Sequence, residues 1–429
     1  MTAIRRSRTT RHHSLAHLRD NDRLSMLTRL QRSSPMLDAV IDEVRGRRIR
    51  IGDHWLADFA SCNYLGFDLD PEIAAAIDEQ VGRWGTHPSW SRLLGSPRLY
   101  PEIEERLTEL LDAPDTLVLP TITHIHGSVL PVLAAGGTIL LEAQAHRTIY
   151  DGAMIATAAG ATVRRFRLDD PDRLVGLLRA APARAPRVVC IDGVNSMTGN
   201  PPDLPLLARI CREHGALLYV DDAHGFGVIG EPHPDEPCPY GRRGNAVVKH
   251  TGETYDDLVL VGGFSKAYSS LLAFLTVPSW LKEHLKVAAP PYLYSGPSPT
   301  ASLATVLAGF RVNDRRGDAL RADLYAKTDR VLEHLDALGV HTPNEVGTPI
   351  VEIPLAEPDD IDEVGGLLWD AGIYVTLAAY PLVPRDQVGF RVQLTAANTD
   401  EEIDELLVAI SALADRSLLR RTDVQRVTA

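Results

Sequence analysis

Short apolar runs alternate with longer amphipathic stretches along the middle of the chain. The runs are rich in β-branched residues or leucine, which is typical of strands buried on both faces. They cover residues 116–119, 138–141, 187–191, 216–220, 258–261 and 273–277. Helical periodicity marks the intervening stretches "HIHGSVLPVLAA", "RTIYDGAMIATAAG", "DPDRLVGLLRAA" and "PPDLPLLARICREHG". Strands that alternate with helices predict an α/β domain around a mostly parallel sheet.

The pattern changes after residue 297. A long helical stretch comes first and a final helix, "TDEEIDELLVAISALADRSLL", comes last. Short strands are predicted between them at residues 350–353, 374–377 and 390–394. This order predicts a smaller α+β domain that closes over the first one.

Three parts of the chain follow from these patterns. Residues 55–297 are expected to form the large domain, and residues 298–429 the small C-terminal domain. The arginine-rich residues 1–54 are expected to form an N-terminal arm with an amphipathic helix. This arm has no apolar core of the kind found in secretory signals. No run reaches the roughly 18 uninterrupted apolar residues that a membrane-spanning helix needs.

Composition places the protein among ordinary globular enzymes and binding proteins. Of the 429 residues, 45% are hydrophobic and 24% are charged. The formal net charge of -13 argues against binding nucleic acid over a large surface. The four cysteines show neither a C-x-x-C pair nor metal-ligand spacing, so a reducing, cytoplasmic location is expected.

Polar side chains follow two of the predicted strands. In "LYVDDAHGFGVIG" an apolar run ends in Asp221 and Asp222, with His224 close behind. In "LVLVGGFSKAYSS" another run passes through two glycines to Lys266. Ligands of open parallel sheets bind beyond the carboxyl ends of the strands, so these groups are expected to meet in one site.

A lysine amine at such a place suits a Schiff base with an aldehyde cofactor, of which pyridoxal 5'-phosphate (PLP) is the common case. PLP also needs a carboxylate that keeps its pyridine nitrogen protonated, because the cationic ring then acts as an electron sink. Its phosphate needs backbone or hydroxyl donors, commonly at a helix N-terminus. The two strand ends supply the lysine, the carboxylate and hydroxyl groups.

Eight segments, in collinear order over about residues 55–415, resemble a known family. They are "DFASCNYLGFDLDPEI", "SRLLGSPRLYPEIEERL", "AQAHRTIYDGA", "DGVNSMTGN", "VDDAHGFGVIG", "GRRGNAVVKH", "GGFSKAYSS" and "GFRVQLTAANTDEEID". The family is that of the α-oxoamine synthases, which are fold-type I PLP-dependent transferases. The resemblance implies a large domain with a mostly parallel central sheet, a smaller C-terminal α+β domain, and PLP as cofactor.

The resemblance also implies roles around the cofactor ring. Lys266 would form the Schiff base and later move the α-proton of the substrate. Asp221 would pair with the pyridine nitrogen, and His224 would hydrogen-bond the 3-oxygen. His146 would stack on the ring, and Ser196 would lie near the 3-oxygen.

Contacts to the phosphate and the substrate follow in the same way. Ser265, Thr121 and Ser295 would bind the phosphate, with Ser295 contributed by a neighbouring subunit of a homodimer. Arg391 would bind the carboxylate of the amino acid, because a planar guanidinium matches a carboxylate with two hydrogen bonds. Cys62 takes the place of an asparagine that helps to bind this carboxylate in the family.

Several of these residues also have structural interpretations. His146 has the position of a histidine that caps a helix, and Ser196 that of a turn residue before a glycine. Arg391 suits a salt bridge on a strand, and Asp222 suits a brace for the turn after its strand. The sequence alone leaves both interpretations of each residue open.

Four departures from the family pattern concern the phosphate and the substrate entrance. "GTHPSWSR" replaces a glycine-rich segment, so His87 and its neighbours are expected to reshape the entrance for the substrate. "PTITH" replaces a serine–glycine turn, and Ile122 cannot easily adopt the backbone angles of a glycine. Gly263 and Gly296 each replace a threonine of the family.

The expected reaction is a Claisen-type condensation of an amino acid with an acyl thioester, with decarboxylation, to give an α-amino ketone. The acyl donor would be acyl-CoA or an acyl-carrier protein, and the departures favour a specialised pathway. A PLP-dependent aminotransferase is a second candidate, which would use the same Lys266 and Asp221. A catalytically silent scaffold is a third. A metal site formed by Asp221, Asp222 and His224 is a fourth, although adjacent residues of a strand point to opposite faces.

Overall fold

A computed structural model describes residues 25–422 of the chain. Its strands are β1 (Glu43–Arg45), β2 (Arg48–Ile51), β3 (His54–Asp58), β4 (Thr116–Leu119), β5 (Thr138–Glu142), β6 (Thr162–Phe166), β7 (Arg187–Asp192), β8 (Leu217–Asp221), β9 (Leu258–Gly263), β10 (Ala273–Thr276), β11 (Ile350–Pro354), β12 (Ile373–Tyr374), β13 (Thr376–Ala378) and β14 (Gly389–Gln393).

Its helices are α1 (Ser25–Ser33), α2 (Pro71–Trp84), α3 (Leu99–Leu111), α4 (Ile122–Leu133), α5 (Arg147–Ala158), α6 (Pro171–Ala180), α7 (Leu204–Glu213), α8 (Ala246–His250), α9 (Ser279–Ala288), α10 (Pro290–Leu293), α11 (Thr300–Ala337), α12 (Ile361–Asp370) and α13 (Asp400–Asp415). Side-chain caps fix several helix starts. Asp70 caps α2, Thr121 caps α4, and Thr399 forms a capping box with Glu402 at the start of α13.

The central sheet has the strand order β4-β10-β9-β8-β7-β5-β6. Neighbouring strands from β9 to β6 are parallel, whereas β10 runs antiparallel to both β4 and β9. Helices join the parallel strands, as right-handed crossover connections require. The predicted mostly parallel α/β sheet is therefore confirmed.

Strands β8 and β9 are neighbours at the middle of this sheet, and Asp221 of β8 pairs in register with Val261 of β9. All six residues of β9 are buried, and so are the last four of β8. Their apolar side chains pack on both faces of the sheet, which explains the continuous apolar runs in the sequence. The parallel direction brings the chain segments after both strands to the same edge.

The smaller C-terminal part contains the antiparallel sheet β11-β14-β13, with α12 and α13 nearby. A second small sheet, of order β1-β2-β3-β12, joins the N-terminal strands to this part, because β12 pairs in parallel with β3. The predicted smaller C-terminal domain is confirmed, whereas the boundaries after residues 54 and 297 stay predictions. Helix α1 lies within the predicted arm, and residues 1–24 of that arm lie outside the described residues.

The strand predictions were wrong at one segment and missed β1, β2, β3 and β6. The single strand expected at residues 374–377 is wrong: Val375 separates β12 from β13, and these two strands belong to different sheets. Strand β6 was not predicted, because it is an edge strand with four of its five residues at least partly exposed and shows no apolar run. Among residues 25–422, no helix is both long enough and apolar enough to span a membrane.

Candidate active site

Lys266 lies in a tight turn just after β9. The backbone carbonyl of Lys266 accepts a hydrogen bond from Ser269 N at 2.9 Å, which closes the turn. The side chain is half-buried and lines a cavity at the edge of the central sheet. Burial lowers the pKa of its amine, although the nearby Asp221 carboxylate opposes this effect. The protein therefore favours the neutral amine more than water does, and a neutral amine is the nucleophilic form.

Asp221 ends β8 and faces the same cavity. Its Oδ1 accepts the Ala223 N–H at 3.0 Å, and its Oδ2 lies 2.9 Å from His126 Nε2. Burial by itself would raise the pKa of Asp221, but the His126 hydrogen bond and nearby positive charges outweigh it and lower the pKa. The protein therefore holds a buried carboxylate in its ionised form.

Asp192 is the partner of Asp221 in register, at the end of β7. Burial, together with the charge of Asp221, raises the pKa of Asp192 well above its usual value. Asp192 Oδ1 accepts the His146 N–H at 2.9 Å. When two carboxyl groups lie this close, their environments push their pKa values apart. The surroundings therefore favour the protonated form of Asp192 and the ionised form of Asp221.

His224 belongs to a buried polar network beside the cavity. Its Nδ1 lies 2.8 Å from the Tyr64 hydroxyl, which also donates to Gln393 Oε1 at 3.1 Å. Gln393 in turn donates to the Ala60 carbonyl at 2.6 Å. Burial lowers the pKa of His224 well below its usual value, so the ring is neutral. A neutral ring whose Nδ1 is engaged by Tyr64 leaves Nε2 free to contact a ligand.

His146 is the N-cap residue of α5 and also lines the cavity. Its Nδ1 lies 2.7 Å from the Thr148 hydroxyl. His146 therefore caps α5, and its ring also forms part of the cavity wall. Burial lowers the pKa of His146, so a neutral ring is available to pack against a flat ligand.

The cavity has a volume of about 180 Å³. Seven of the predicted site residues line it: Lys266, Asp221, His224, His146, Ser196, Ser265 and Thr121. At one wall the cavity meets the N-terminus of α4, where Thr121, Ile122 and Thr123 contribute. The partial positive charge of a helix N-terminus suits an anion such as phosphate. The roles of these residues stay predictions.

The remaining four predicted residues do not line this cavity. Arg391 lies behind Ser196, to whose carbonyl its Nη1 donates at 2.5 Å, and Cys62 donates to Gln393 Oε1 at 2.8 Å. His87 and Ser295 lie together, since a side-chain carbon added at Gly296 would be 3.6 Å from His87 Nε2. The Ser295 hydroxyl donates to its own neighbour, the Gly296 carbonyl. Its contribution to a second subunit stays a prediction.

Asp222 points away from the cavity and braces the surrounding loops. Its carboxylate accepts the Val194 N–H at 3.1 Å and the Val247 N–H at 2.7 Å. Gly193 and Gly225 pack so closely against this carboxylate that a side-chain carbon on either would lie within 2.4 Å of it. Asp222 therefore does not share a ligand site with Asp221. Within residues 25–422, no group of three His, Cys, Asp or Glu side chains is placed to hold a metal ion.

Comparison with known proteins identifies the family. The sequence family described as aminotransferase class I and II matches residues 57–410. The 8-amino-7-oxononanoate synthase of Pseudomonas putida KT2440 is 31% identical over 385 residues, covering 89% of this chain and 93% of the relative. The enzyme of the same name from Chromohalobacter salexigens is 33% identical over 356 residues, covering 82% and 88%. The chain belongs to the α-oxoamine synthases of this family.

Solved structures agree with this assignment. Serine palmitoyltransferase from Sphingomonas wittichii matches this α-oxoamine synthase with a TM-score of 0.81 and 26% sequence identity, covering 91% of this chain and 95% of that one. A high-resolution structure of SPT that contains PLP matches with a TM-score of 0.82 and 25% identity, covering 94% and 97%. The enzyme is therefore a PLP-dependent fold-type I transferase.

The site of this α-oxoamine synthase fits PLP on its own geometry. It offers an amine with a lowered pKa, an ionised and fully hydrogen-bonded carboxylate, two neutral histidines and a helix N-terminus. These groups match the aldehyde, the pyridine nitrogen, the ring oxygen and the phosphate of the cofactor in chemical type.

The two departures at the phosphate end compensate for each other in this α-oxoamine synthase. Ile122 is the first residue of α4 and adopts ordinary helical angles, so the lost glycine is not needed for backbone freedom. A side-chain carbon at Gly263 would lie 2.7 Å from Ile122 Cδ1 and 3.1 Å from its Cγ1. Gly263 therefore makes room for the side chain of Ile122.

This packing gives a prediction for the phosphate end. Gly263→Thr is expected to push Ile122 towards the cavity and to weaken PLP binding by about tenfold or more, because two residues in contact couple by roughly 0.5–3 kcal/mol. Ile122→Ala combined with Gly263→Thr should recover most of the affinity. PLP titration of the apoprotein of each variant measures this, with Ile122→Ala alone as the control. Additive losses in the double variant would contradict the compensation.

Sequence reasoning missed four residues of this site. Asp192 and Tyr64 lie in segments that resemble the family, but the resemblance assigns roles to their neighbours and not to them. Gln393 follows Arg391 on β14 by two residues, so both project from the same face of the strand. His126 lies in an apolar helical stretch and has no signal of its own. The end of β8 and the start of α4 meet only in three dimensions.

Glu352 is a buried carboxylate of the small sheet, directly across from Arg391 in register. Its Oε1 has no hydrogen-bond partner in the described part of the chain. Burial raises the pKa of Glu352 to about 7, although Arg391 and Arg420 oppose the rise. Above this pH the folded protein must hold a buried charge that the unfolded chain solvates.

A pH-dependent stability change follows from Glu352. Since its pKa is higher in the folded state, the carboxylate costs up to about 3 kcal/mol above pH 7 and nothing at a pH well below 4.5. Glu352→Gln is expected to stabilise the protein at pH 8.5, with the gain shrinking as the pH falls towards 5. Urea unfolding at both pH values measures it, with exposed Glu357→Gln as control. A gain of equal size at both pH values would refute the titration of Glu352 as its cause.

Proposed function

We propose that this α-oxoamine synthase condenses a small amino acid with an acyl thioester, with loss of carbon dioxide, and releases an α-amino ketone and a free thiol. The observation that carries the proposal is that the Lys266 amine and the ionised Asp221 carboxylate line the same cavity. Family membership supports the condensation. The choice of a small amino acid is supported by its relatives, one of which is named for serine.

PLP, when bound, supplies a protonated pyridine ring that takes up the electron pair left when a bond to the α-carbon of the amino acid breaks. Asp221 remains ionised and lies ready to hold the proton on the ring nitrogen. Lys266, with its lowered pKa, accepts and returns the proton at the α-carbon. His224 and His146 remain neutral, so they do not compete with the ring for the charge of Asp221.

Arg391 is the proposed partner of the amino-acid carboxylate. Its Nη1 already donates to the Ser196 carbonyl, which fixes the direction of the guanidinium. Its Nε is buried and lacks a hydrogen-bond partner among residues 25–422. A carboxylate accepting from Nε and the neighbouring amino group would satisfy this donor. Ser196 itself lines the cavity, so a ligand there would lie within reach of Arg391.

A homodimer is the proposed assembly. The segment with His87 packs beside Gly296 and Thr300, since Thr300 N donates to the Thr86 carbonyl at 3.1 Å. Large apolar side chains stand exposed in these two segments: Trp90 at 56%, Leu94 at 83% and Tyr294 at 85%. Exposed apolar side chains of this size are typical of surfaces that a partner covers. Such a partner would receive His87 and Ser295 near its own cavity, where the acyl donor enters.

The location is proposed to be the cytoplasm. All four cysteines are free thiols, and Cys190, Cys211 and Cys238 are buried. Free thiols are the usual state in a reducing compartment.

Thiol release tests the proposed reaction. The holoenzyme is incubated with glycine, alanine or serine and with acyl-CoA or acyl-carrier protein of several chain lengths. The expected result is stoichiometric appearance of free thiol, carbon dioxide and an amino ketone identified by mass spectrometry. Formation of a keto acid without thiol would overturn the condensation in favour of an aminotransferase. Absence of turnover with every substrate pair, in an enzyme that has bound PLP on Lys266, would favour the catalytically silent scaffold.

A further inference from the structure

His126 forms the centre of a buried hydrogen-bonded chain behind the cavity. Its Nε2 lies 2.9 Å from Asp221 Oδ2, and its Nδ1 lies 2.9 Å from the Tyr219 hydroxyl. The side chains of His126 and Tyr219 are fully buried, and Asp221 is 5% exposed. The chain therefore runs from the core of the central sheet to the carboxylate that faces the cavity.

The hydrogen positions follow from the chemistry of the three groups. An ionised carboxylate only accepts, so His126 Nε2 carries the hydrogen of the bond to Asp221. In a neutral imidazole the other nitrogen is then an acceptor, so the Tyr219 hydroxyl donates to Nδ1. Tyr219 thus selects the tautomer of His126 that Asp221 needs.

The packing of α4 against α5 fixes the position of His126. A side-chain carbon on Gly152 of α5 would lie 2.4 Å from the His126 carbonyl oxygen and 3.1 Å from its Cβ. The rings of His126 and Tyr219 also pack with their centroids 5.7 Å apart at an angle of 60°. Because α4 and α5 approach so closely here, the backbone and Cβ of His126 are held in place, while Tyr219 and Asp221 fix the direction of its ring.

We propose that His126 is a positioning residue for the PLP site: it holds Asp221 towards the pyridine nitrogen, and Tyr219 holds His126 in the required tautomer. With Ala223 N–H on Oδ1 and His126 on Oδ2, both oxygens of Asp221 have a fixed donor. The orientation of the carboxylate is thereby set before the cofactor binds. This inference rests on PLP as the cofactor and is independent of the amino acid and the acyl donor.

Three further groups act on Asp221 or share its site. His146 of α5 and Lys266 after β9 line the same cavity as Asp221, and Asp192 of β7 is the acid that shares its surroundings. Without His126, Asp221 loses its strongest hydrogen-bond donor, and a proton can reside on it in place of the ring nitrogen. The ring would then lose its positive charge, and the pKa of the nearby Lys266–PLP Schiff base would rise.

Two substitutions of His126 test whether its Nε2 hydrogen-bond donor, rather than the imidazole ring as such, supports Asp221. Glutamine places its side-chain amide nitrogen near the position of Nε2, so His126→Gln retains a donor for Asp221. Asparagine reaches only the position of Nδ1, so His126→Asn loses that donor. Tyr219→Phe removes the hydroxyl alone. Tyr240→Phe is the matched control, because it removes another buried tyrosine hydroxyl, which donates to the Gly347 carbonyl away from the cavity.

The readouts are the dissociation constant of PLP and the pH midpoint of the visible absorbance of the holoenzyme. We expect His126→Asn to weaken PLP binding by about 10–100-fold, as is typical when a residue supporting a ligand contact is lost, and to raise the midpoint by about one pH unit. His126→Gln should stay close to the wild type, and Tyr219→Phe should change both values in the direction of His126→Asn but less. Tyr240→Phe should change neither.

The proposal is overturned if His126→Asn leaves the pH midpoint unchanged, or if His126→Gln is impaired as much as His126→Asn. If Tyr219→Phe changes neither the PLP dissociation constant nor the pH midpoint, the proposed role of Tyr219 is overturned. If His126→Asn does not fold, nitrogen NMR of histidine-labelled wild-type apoprotein still decides, because the proposal requires the hydrogen on Nε2 and a bare Nδ1. A ring with the opposite tautomer would overturn it. If the PLP dissociation constants and pH midpoints are as expected but the condensation assay fails, the proposed substrates are wrong and the role of His126 stands.

Discussion

Lys266→Ala is expected to abolish turnover, with a loss of at least about 10³-fold, because both the covalent attachment of PLP and the proton transfer at the α-carbon are lost. The visible absorbance of the Schiff base should disappear as well. Binding of PLP should weaken yet persist, since Asp221, His224 and the N-terminus of α4 remain. Absorbance spectra, PLP titration and the thiol-release assay measure these three effects.

The matched control for Lys266 is Lys249→Ala. Lys249 is a lysine of α8 that pairs with Asp112 at 3.1 Å, outside the cavity. It should retain the absorbance band and the activity. Persistence of the band in Lys266→Ala would mean that another amine binds the cofactor, and the assignment of Lys266 would be wrong.

Asp221→Asn is expected to lower turnover by on the order of 10²–10³-fold, which is the usual loss when one preorganised electrostatic contact is removed from an active site. Asparagine keeps the shape, but its single acceptor oxygen can serve only one of the two donors, His126 and the Ala223 N–H. It carries no negative charge, so it cannot keep the pyridine nitrogen protonated. The stability of the apoprotein should fall by no more than about 1–3 kcal/mol, which is the cost of leaving one buried donor without its acceptor. Turnover measures the effect on catalysis, and urea unfolding measures the effect on stability.

Asp222→Asn, at the adjacent position, is expected to lower stability without lowering turnover. The carboxylate of Asp222 accepts two backbone N–H groups, from Val194 and Val247, and an amide has one acceptor oxygen for two donors. We expect a loss of about 1–3 kcal/mol in stability, with PLP affinity largely retained. The distinction fails if Asp221→Asn mainly unfolds the protein, or if Asp222→Asn folds normally and loses its turnover.

The relation between Asp221 and Lys266 could be predicted from sequence, because it depends on a general property of parallel sheets. Two buried strands that end in polar groups deliver them to one edge whenever the strands are neighbours and run in the same direction. The family resemblance supplied that adjacency. The continuous burial of β8 and β9 made both strands easy to recognise.

His126 could not be predicted, because its function depends on contacts made by the folded chain. A histidine inside an apolar helical stretch has the same pattern as any core residue, and its partners are 93 and 95 positions away. The compensation between Ile122 and Gly263 was hidden for the same reason. Each departure looked like a loss when it was considered alone, and the packing of one against the other is visible only in three dimensions.

The break between β12 and β13 at Val375 could not be predicted from the sequence pattern either. Hydrophobic periodicity reports that a segment is extended and buried, and it does not report which strand pairs with it. Ile373 and Thr376 lie in one apolar stretch, yet they pair with Ala57 of β3 and with Arg391 of β14 respectively. The residue at which the partner strand changes depends on where the two sheets meet in the folded protein.

The pairing of β3 with β12 has a consequence for synthesis of the protein in the cell. Ala57 of β3 cannot pair until Ile373 of β12 has left the ribosome, 316 residues later. At about 5–20 residues per second this delay is roughly 15–60 seconds. During that time the nascent chain carries an incomplete sheet, β1-β2-β3, with an open edge of the kind that invites wrong pairing. Release of the full chain completes the sheet.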